Sequence, residues 1–228
     1  EIIGRWISAN KSRRSNFILA TKHSGKGLSH VRNGAPIAKD TIQDAVEGSL
    51  KRLKTDYIDL YQFHWPNRGS YMFRQNWKYD PSKQDKKITL ENMYECLVTL
   101  QDQVEKGNIR HFGLSNESAW GTANWLRLSE QHNLPRVATI QNEYSLLCRF
   151  SDTVLAELSV IEGVGLMAFS PLAAGLLTGK YLDGNVPKNS RKLINKDLSG
   201  RDNARSEVAV RSYLSIAEEF GIQPIHLA

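Results

Sequence analysis

Five short apolar runs in this chain each end on polar residues of types that could do chemistry. Those residues are Lys22, His64, Ser115 with Asn116, Gln141 with Asn142, and Ser170 behind Phe169. A lysine carries positive charge, an imidazole donates or accepts near neutral pH, and hydroxyls and amides orient a polar ligand. Taken singly, each has a bland reading. Lys22 could be a solvated strand terminus, His64 a hydrogen-bonded structural histidine, Asn116 a plain helix cap and Gln141 a satisfied edge amide. As consecutive hits on every run, the bland reading becomes poor. Parallel α/β sheets and barrels collect their chemistry at the C-terminal ends of their strands.

The elements that would position these residues can be read from periodicity. Residues 1–9 place Ile2, Ile3, Trp6 and Ile7 at helical spacing and read as the tail of a helix, so residues upstream of Glu1 are expected. Residues 17–22 are a strand-length apolar run ending on Lys22, followed by a Gly-, Ser- and His-containing loop over 23–38. Asp40 is expected to cap a helix, with Gln43 in capping-box spacing and a stripe of Ile42, Ala45, Val46, Leu50 and Leu53. In residues 57–65, Ile58, Leu60, Gln62 and His64 alternate with Asp59, Tyr61 and Phe63, a strand that Pro66 should stop. Residues 67–88 form a long polar and aromatic loop insertion.

Thr89 should begin the next helix, with Leu90, Met93, Leu97, Leu100 and Val104 on one face and Gly107 after it. Residues 109–116 are a strand, and Asn116 is placed to cap a helix over 117–132. Strands follow at 137–144 and 164–170, separated by a helix that Ser151 or Asp152 caps and Gly163 closes. A Gly-, Lys-, Asn- and Arg-rich loop then leads to a last helix carrying Val208, Tyr213, Ile216, Ala217 and Phe220. Such β-α alternation implies a parallel sheet with right-handed crossovers, either doubly wound or a (β/α)8 barrel. No strand is followed by the Gly-x-Gly-x-x-Gly turn of a dinucleotide-binding Rossmann unit.

Composition narrows the classes. The 228 residues, 40% hydrophobic and 24% charged, suit one large globular domain. No apolar run approaches the ~20 residues of a membrane span, and no signal peptide is visible, so the cytoplasm is the default. The net charge of +6 is scattered without a nucleic-acid motif, which argues against nucleic-acid binding. Cys96 and Cys148 lack metal-ligand spacing and read as free thiols, so no metal site is expected.

The string over residues 50–66, Leu-Lys-Arg-Leu-Lys-Thr-Asp-Tyr-Ile-Asp-Leu-Tyr-Gln-Phe-His-Trp-Pro, resembles a signature segment of the aldo-keto reductase family. The bacterial Tas-like branch of that family shares Ser-Leu-Lys-Arg-Leu-Lys-Thr-Asp-Tyr and the long loop after His-Trp-Pro. The resemblance implies a (β/α)8 TIM barrel over a single domain, 1–228, of which about five of eight strands are present. It implies hydride transfer between NADP(H) and a small-molecule carbonyl. Lys22 resembles the family's catalytic lysine, and His64 the histidine that polarises the carbonyl. Ser115 and Asn116 resemble the pair that holds the nicotinamide carboxamide, with Gln141 assisting. Phe169 matches the aromatic that stacks on the ring, and Ser170, Leu172 and the stretch from Gly175 to Lys180 match the loop over the pyrophosphate.

Two members of the family's catalytic tetrad, an aspartate and a tyrosine acid, are expected before Glu1, and none of Tyr57, Tyr61, Tyr71 or Tyr79 carries the family's surrounding motif. The loop that holds the adenosine 2′-phosphate is expected after Ala228. A cofactor-binding regulatory protein of the same fold, like the potassium-channel β subunits the family includes, is the alternative.

Overall fold

The structure is a computed structural model that describes residues 1–228. Helix α1 (Ile2–Ala9) precedes strand β1 (Ala20–His23), helix α2 (Lys39–Leu53) and strand β2 (Ile58–Phe63). Helix α3 (Lys86–Glu105), strand β3 (Ile109–Ser115), helix α4 (Ala119–His132) and strand β4 (Val137–Glu143) follow. Next come two short helices, α5 (Phe150–Val154) and α6 (Ala156–Ile161), then strand β5 (Gly165–Phe169) and helices α7 (Ala204–Glu219) and α8 (Pro224–Leu227). The strands form one five-stranded sheet in the order β1-β2-β3-β4-β5, and β1 to β4 pair in parallel. The fold is α/β, as the alternation requires.

The chain forms two compact units, residues 1–141 with 157–167 and residues 142–156 with 168–228. In the first, β2 lies between β1 and β3 and all six of its residues are buried. Burial on both sides explains why its alternation separates two buried faces rather than an inner and an outer one. One face packs aromatic rings: Phe63 lies 5.0 Å from Phe112 and 5.6 Å from Trp125, with T-shaped or tilted planes. The only charged residue of β2, Asp59, is held by Arg14 at 2.7 Å, by Arg110 at 3.1 Å and by the Leu19 N–H. Burial alone would push its carboxyl up, but those donors hold it below the usual carboxylate range. The second unit packs Ala173, Leu176, Leu177, Tyr181, Leu198 and Val210 into a core of its own.

Several local expectations are corrected. The first strand begins at Ala20 and runs one residue past Lys22. β2 stops at Phe63, three residues before Pro66, so His64 and Trp65 lie beyond the strand. Asp40 does not cap α2: the cap position is Ala38, whose N–H donates to Thr41 Oγ1, and Gln43 bonds Glu47 instead. Helix α3 starts before Thr89, because the Asp85 carboxylate accepts the Ile88 N–H at 2.9 Å and so completes a cap. The long loop therefore ends at residue 85. Asn116 does not cap α4; Ser118 does, accepting the Gly121 N–H at 3.1 Å. Neither Ser151 nor Asp152 caps, and the helix expected through Ile161 breaks at Leu155 into α5 and α6. Asp152 is engaged by the Tyr144 hydroxyl at 2.7 Å and by Arg149. In α7, Asn203 caps, Val210 and Ala217 are buried, and Val208 and Phe220 are exposed.

Candidate active site

Parallel pairing fixes which polar side chains share a level. The register aligns Lys22 with Gln62, Gln62 with Gly113, and Gly113 with Thr139. Register-matched residues of parallel strands point to the same side of a sheet, so these four form one row. Two residues further along, Ser115 aligns with Gln141. Phe63 aligns with Leu114, so His64 and Ser115 follow at that next level. The intervening residues, His23, Phe63, Leu114 and Ile140, are buried and turn to the opposite face.

Gly113 is required in the first row. A Cβ there would lie 2.6 Å from Thr139 Oγ1 and 3.1 Å from the Thr139 carbonyl oxygen. The gap it leaves is lined by buried polar atoms without partners, Gln62 Oε1 and Thr139 Oγ1. Gln62 Nε2 makes only a long contact, 3.4 Å to the Leu114 carbonyl. Orphaned buried acceptors are rare and mark places where a ligand or water completes the bonding.

The next level is tied together more firmly. Ser115 Oγ donates to the Gln141 carbonyl at 2.8 Å, and the Asn116 N–H donates to that same oxygen at 3.0 Å. Asn116 stands at φ +52°, a left-handed conformation that asparagine tolerates better than most residues. This backbone turn aims its side chain back across the strand ends. Asn116 Nδ2 donates to the His64 carbonyl at 2.9 Å and to Ser115 Oγ at 3.1 Å. Both amide protons are thus used, which fixes the orientation of the amide, and Oδ1 is left buried without a partner.

Lys22 is half-buried and His64 likewise. Burial lowers the Lys22 pKa below the ordinary lysine value. Burial also lowers that of His64, and the charge on Lys22 lowers it further, so the imidazole is neutral at pH 7. The two side chains therefore share an electrostatic environment, one as cation and one as neutral donor. The His64 ring stacks against Trp65, centroids 4.6 Å apart. Trp65 Nε1 donates to the Lys26 carbonyl at 3.2 Å, and Gly25 lies so close to its indole that a Cβ would clash. A cavity of about 340 Å³ opens beside Trp65, walled by Ile37, Ile88, Met93 and the Arg68–Glu117 pair.

That pair is the largest feature of this region that the motifs did not single out. Arg68, in the long loop, meets Glu117, just before α4, in a two-pronged ion pair, and both side chains are buried. Arg68 also donates to Ser118 Oγ at 3.2 Å. The loop after β2 is thereby anchored to the capped start of α4. The only sequence signal was Asn-Glu-Ser after the β3 run, which reads equally as a helix start.

In the second unit, residues 169–180 form a tight turn. Ser170, Ala173, Ala174, Gly175 and Gly179 all have positive φ. The Leu172 carbonyl accepts the Gly175 N–H at 2.8 Å, and the Ser170 carbonyl accepts that of Ala173 at 2.8 Å. Gly175 is needed at its φ of +97°, and a Cβ there would lie 3.0 Å from Lys180 Nζ, so the ammonium rests on this turn. Phe169 is half-buried at the start of the turn, its carbonyl accepting the Tyr144 N–H.

The model of the aldo/keto reductase family matches residues 1–228. The chain belongs to the aldo/keto reductase family. Among curated relatives, the protein tas of Escherichia coli (strain K12) is 38% identical over 229 residues, covering 99% of this chain and 65% of that protein. An aldo-keto reductase of Babesia bovis is 37% identical over 220 residues, 90% of this chain and 76% of the relative. A probable voltage-gated potassium channel subunit beta of Arabidopsis thaliana is 29% identical over 238 residues, the whole of this chain and 64% of that protein. The chain thus spans 65% of the length of the tas protein. No helix is long and apolar enough to cross a membrane.

Proposed function

We propose that the whole protein is an NADPH-dependent aldo-keto reductase that reduces a small aldehyde or ketone to the alcohol, its five strands being part of a (β/α)8 barrel. The observation that carries this reading is Asn116: its two amide protons are fixed by His64 and Ser115, and its buried Oδ1 is left over as an acceptor. A carboxamide N–H is the group such an acceptor takes, which fits the nicotinamide. Gln141 stands at the same level to assist. Phe169 would stack on the ring. Ser170, Leu172 and Gly175, in a tight turn with Lys180 against it, would face the phosphates, with the ammonium supplying positive charge. When bound, the reduced nicotinamide supplies the hydride.

The chain's own residues then handle orientation and charge. Neutral His64 donates a hydrogen bond to the carbonyl oxygen and fixes its direction. Lys22 places positive charge where the alkoxide develops, in a partly desolvated position that strengthens the effect. The proton donor is none of the chain's tyrosines near β2: Tyr61 is buried with its hydroxyl engaged by His23, and burial pushes its pKa up, as it does that of Tyr79. By the family resemblance, the proton donor is a tyrosine expected before Glu1.

The test uses the full-length protein. NADPH should quench its tryptophan fluorescence, and an aromatic aldehyde should then consume the NADPH. The absence of both effects would overturn the reading. Quenching without turnover, together with a stable protein partner in a pull-down, would favour the regulatory alternative that the similarity to potassium channel β subunits raises.

A further inference from the structure

On the face of the sheet opposite Lys22 and His64 runs a chain of buried polar groups that the proposed chemistry does not use. His23 is wholly buried. Its Nδ1 lies 3.2 Å from the Tyr61 hydroxyl and its Nε2 lies 3.4 Å from Thr41 Oγ1. The surrounding contacts fix the direction of these bonds. Thr41 Oγ1 accepts the Ala38 N–H at 3.0 Å, and its single proton faces two backbone acceptors, the Pro36 carbonyl at 2.9 Å and the Ala38 carbonyl at 3.1 Å. A hydroxyl whose proton is so committed can only accept from the imidazole, so Nε2 carries the hydrogen. Nδ1 is then the acceptor for the Tyr61 hydroxyl. The other tautomer would leave that hydroxyl proton buried without an acceptor. The run is therefore Tyr61 to His23 to Thr41 to the backbone carbonyls that open α2, each group donating to the next.

We propose that this Tyr61–His23–Thr41 chain is the positioning device of the active site, acting on the reaction only through Lys22 and His64. The inference rests on the reductase reading for its kinetic part. The physical link is short. Side chains alternate along a strand, so anchoring the His23 ring in the helix-facing layer turns Lys22 to the other face. The His23 carbonyl also accepts the His64 N–H at 2.9 Å. One residue thus sets the rotation of β1 under the lysine and holds the amide of the histidine. Tyr61 ties it to the neighbouring strand β2, and Thr41 ties it to the first turn of α2. Losing one link frees the end of β1, exposes His64 further and lets Lys22 move away from it.

Three variants of the full-length protein test this. Tyr61→Phe removes only the hydroxyl at the head of the chain. Thr41→Val breaks the tail at nearly constant shape, and Thr41→Ser keeps the tail. His64 is followed by NMR titration of its imidazole, and NADPH-dependent turnover is followed by kinetics. The two causes that lower the His64 pKa, burial and the Lys22 charge, both relax when the end loosens. Tyr61→Phe and Thr41→Val should therefore raise the His64 midpoint toward the ordinary imidazole value. They should lower kcat by roughly tenfold or more, the scale of a sub-ångström to ångström misplacement, while the KM for NADPH stays within about twofold. Thr41→Ser should restore both readouts. Should Thr41→Val fail to fold, Tyr61→Phe decides alone. An unchanged His64 midpoint in Tyr61→Phe, or equal losses in Thr41→Val and Thr41→Ser, would overturn the proposal. If the unsubstituted protein shows no turnover, the reductase reading fails while the His64 midpoints still decide the positioning role.

Discussion

Acidification should destabilise this protein through His23 in a way that can be isolated and sized. Burial, and to a lesser degree the charge of Arg32, lowers the His23 pKa from 6.5 to about 3. Between those values the unfolded chain binds a proton that the folded chain refuses, so stability rises with pH across that window. The contribution is fully present above pH 6.5 and is lost progressively as pH falls toward 3. From pH 6.5 to pH 5, a group with this shift removes roughly 1.5 to 2 kcal/mol of folding free energy. His64 and the carboxylates also titrate, so the comparison is with His23→Gln, which keeps polar atoms near both partners but cannot be protonated. Urea unfolding followed by circular dichroism at both pH values gives the difference. With m in the usual range of about 1 to 3 kcal/mol per molar urea, the unsubstituted midpoint should fall by roughly 0.5 to 2 M more than that of the variant. Equal pH slopes for the two proteins would refute the argument, and would mean that His23 is protonated in the fold or is reached by water.

Two other substitutions probe the framework of the site. Glu117→Gln leaves the Arg68 guanidinium buried and uncompensated, and unfolding experiments should show a loss of about 3 to 5 kcal/mol; a loss under 1 kcal/mol would mean that water reaches the pair. Gly113→Ala forces a methyl group to within 2.6 Å of Thr139 Oγ1. It should cost about 1 to 3 kcal/mol in the same assay and weaken cofactor quenching, and an unperturbed protein would show that the gap beside Lys22 is not tightly set.

The polar residues at the strand ends were easier to read from the sequence than the edges of the elements that carry them. Strand ends are legible because a run such as Ile-Gln-Asn-Glu switches from apolar to polar, and parallel register then brings Lys22, His64, Ser115 and Gln141 to adjoining levels. Caps were harder to read, because Asp40, Asn116 and Asp152 are all competent capping residues and the winner depends on distant partners. Asn116 is drawn instead to the His64 carbonyl, 52 positions away, and Ser118 inherits the cap. The periodicity of α7 overstated its core face, since Val208 and Phe220 satisfy the spacing yet remain exposed. His23 and the Arg68–Glu117 pair escaped notice for a related reason. Their meaning lies in contacts between residues 38 and 49 positions apart, which no local pattern encodes.

The most direct test of the central claim is the rate of NADPH consumption with an aromatic aldehyde, comparing the full-length protein with its Lys22→Met variant. If Lys22 supplies the positive charge at the developing alkoxide, the variant should still bind NADPH with similar quenching while kcat falls by roughly a hundredfold or more, the scale of removing one electrostatic stabiliser. An unsubstituted protein that oxidises NADPH no faster than the variant would contradict the assignment of this site.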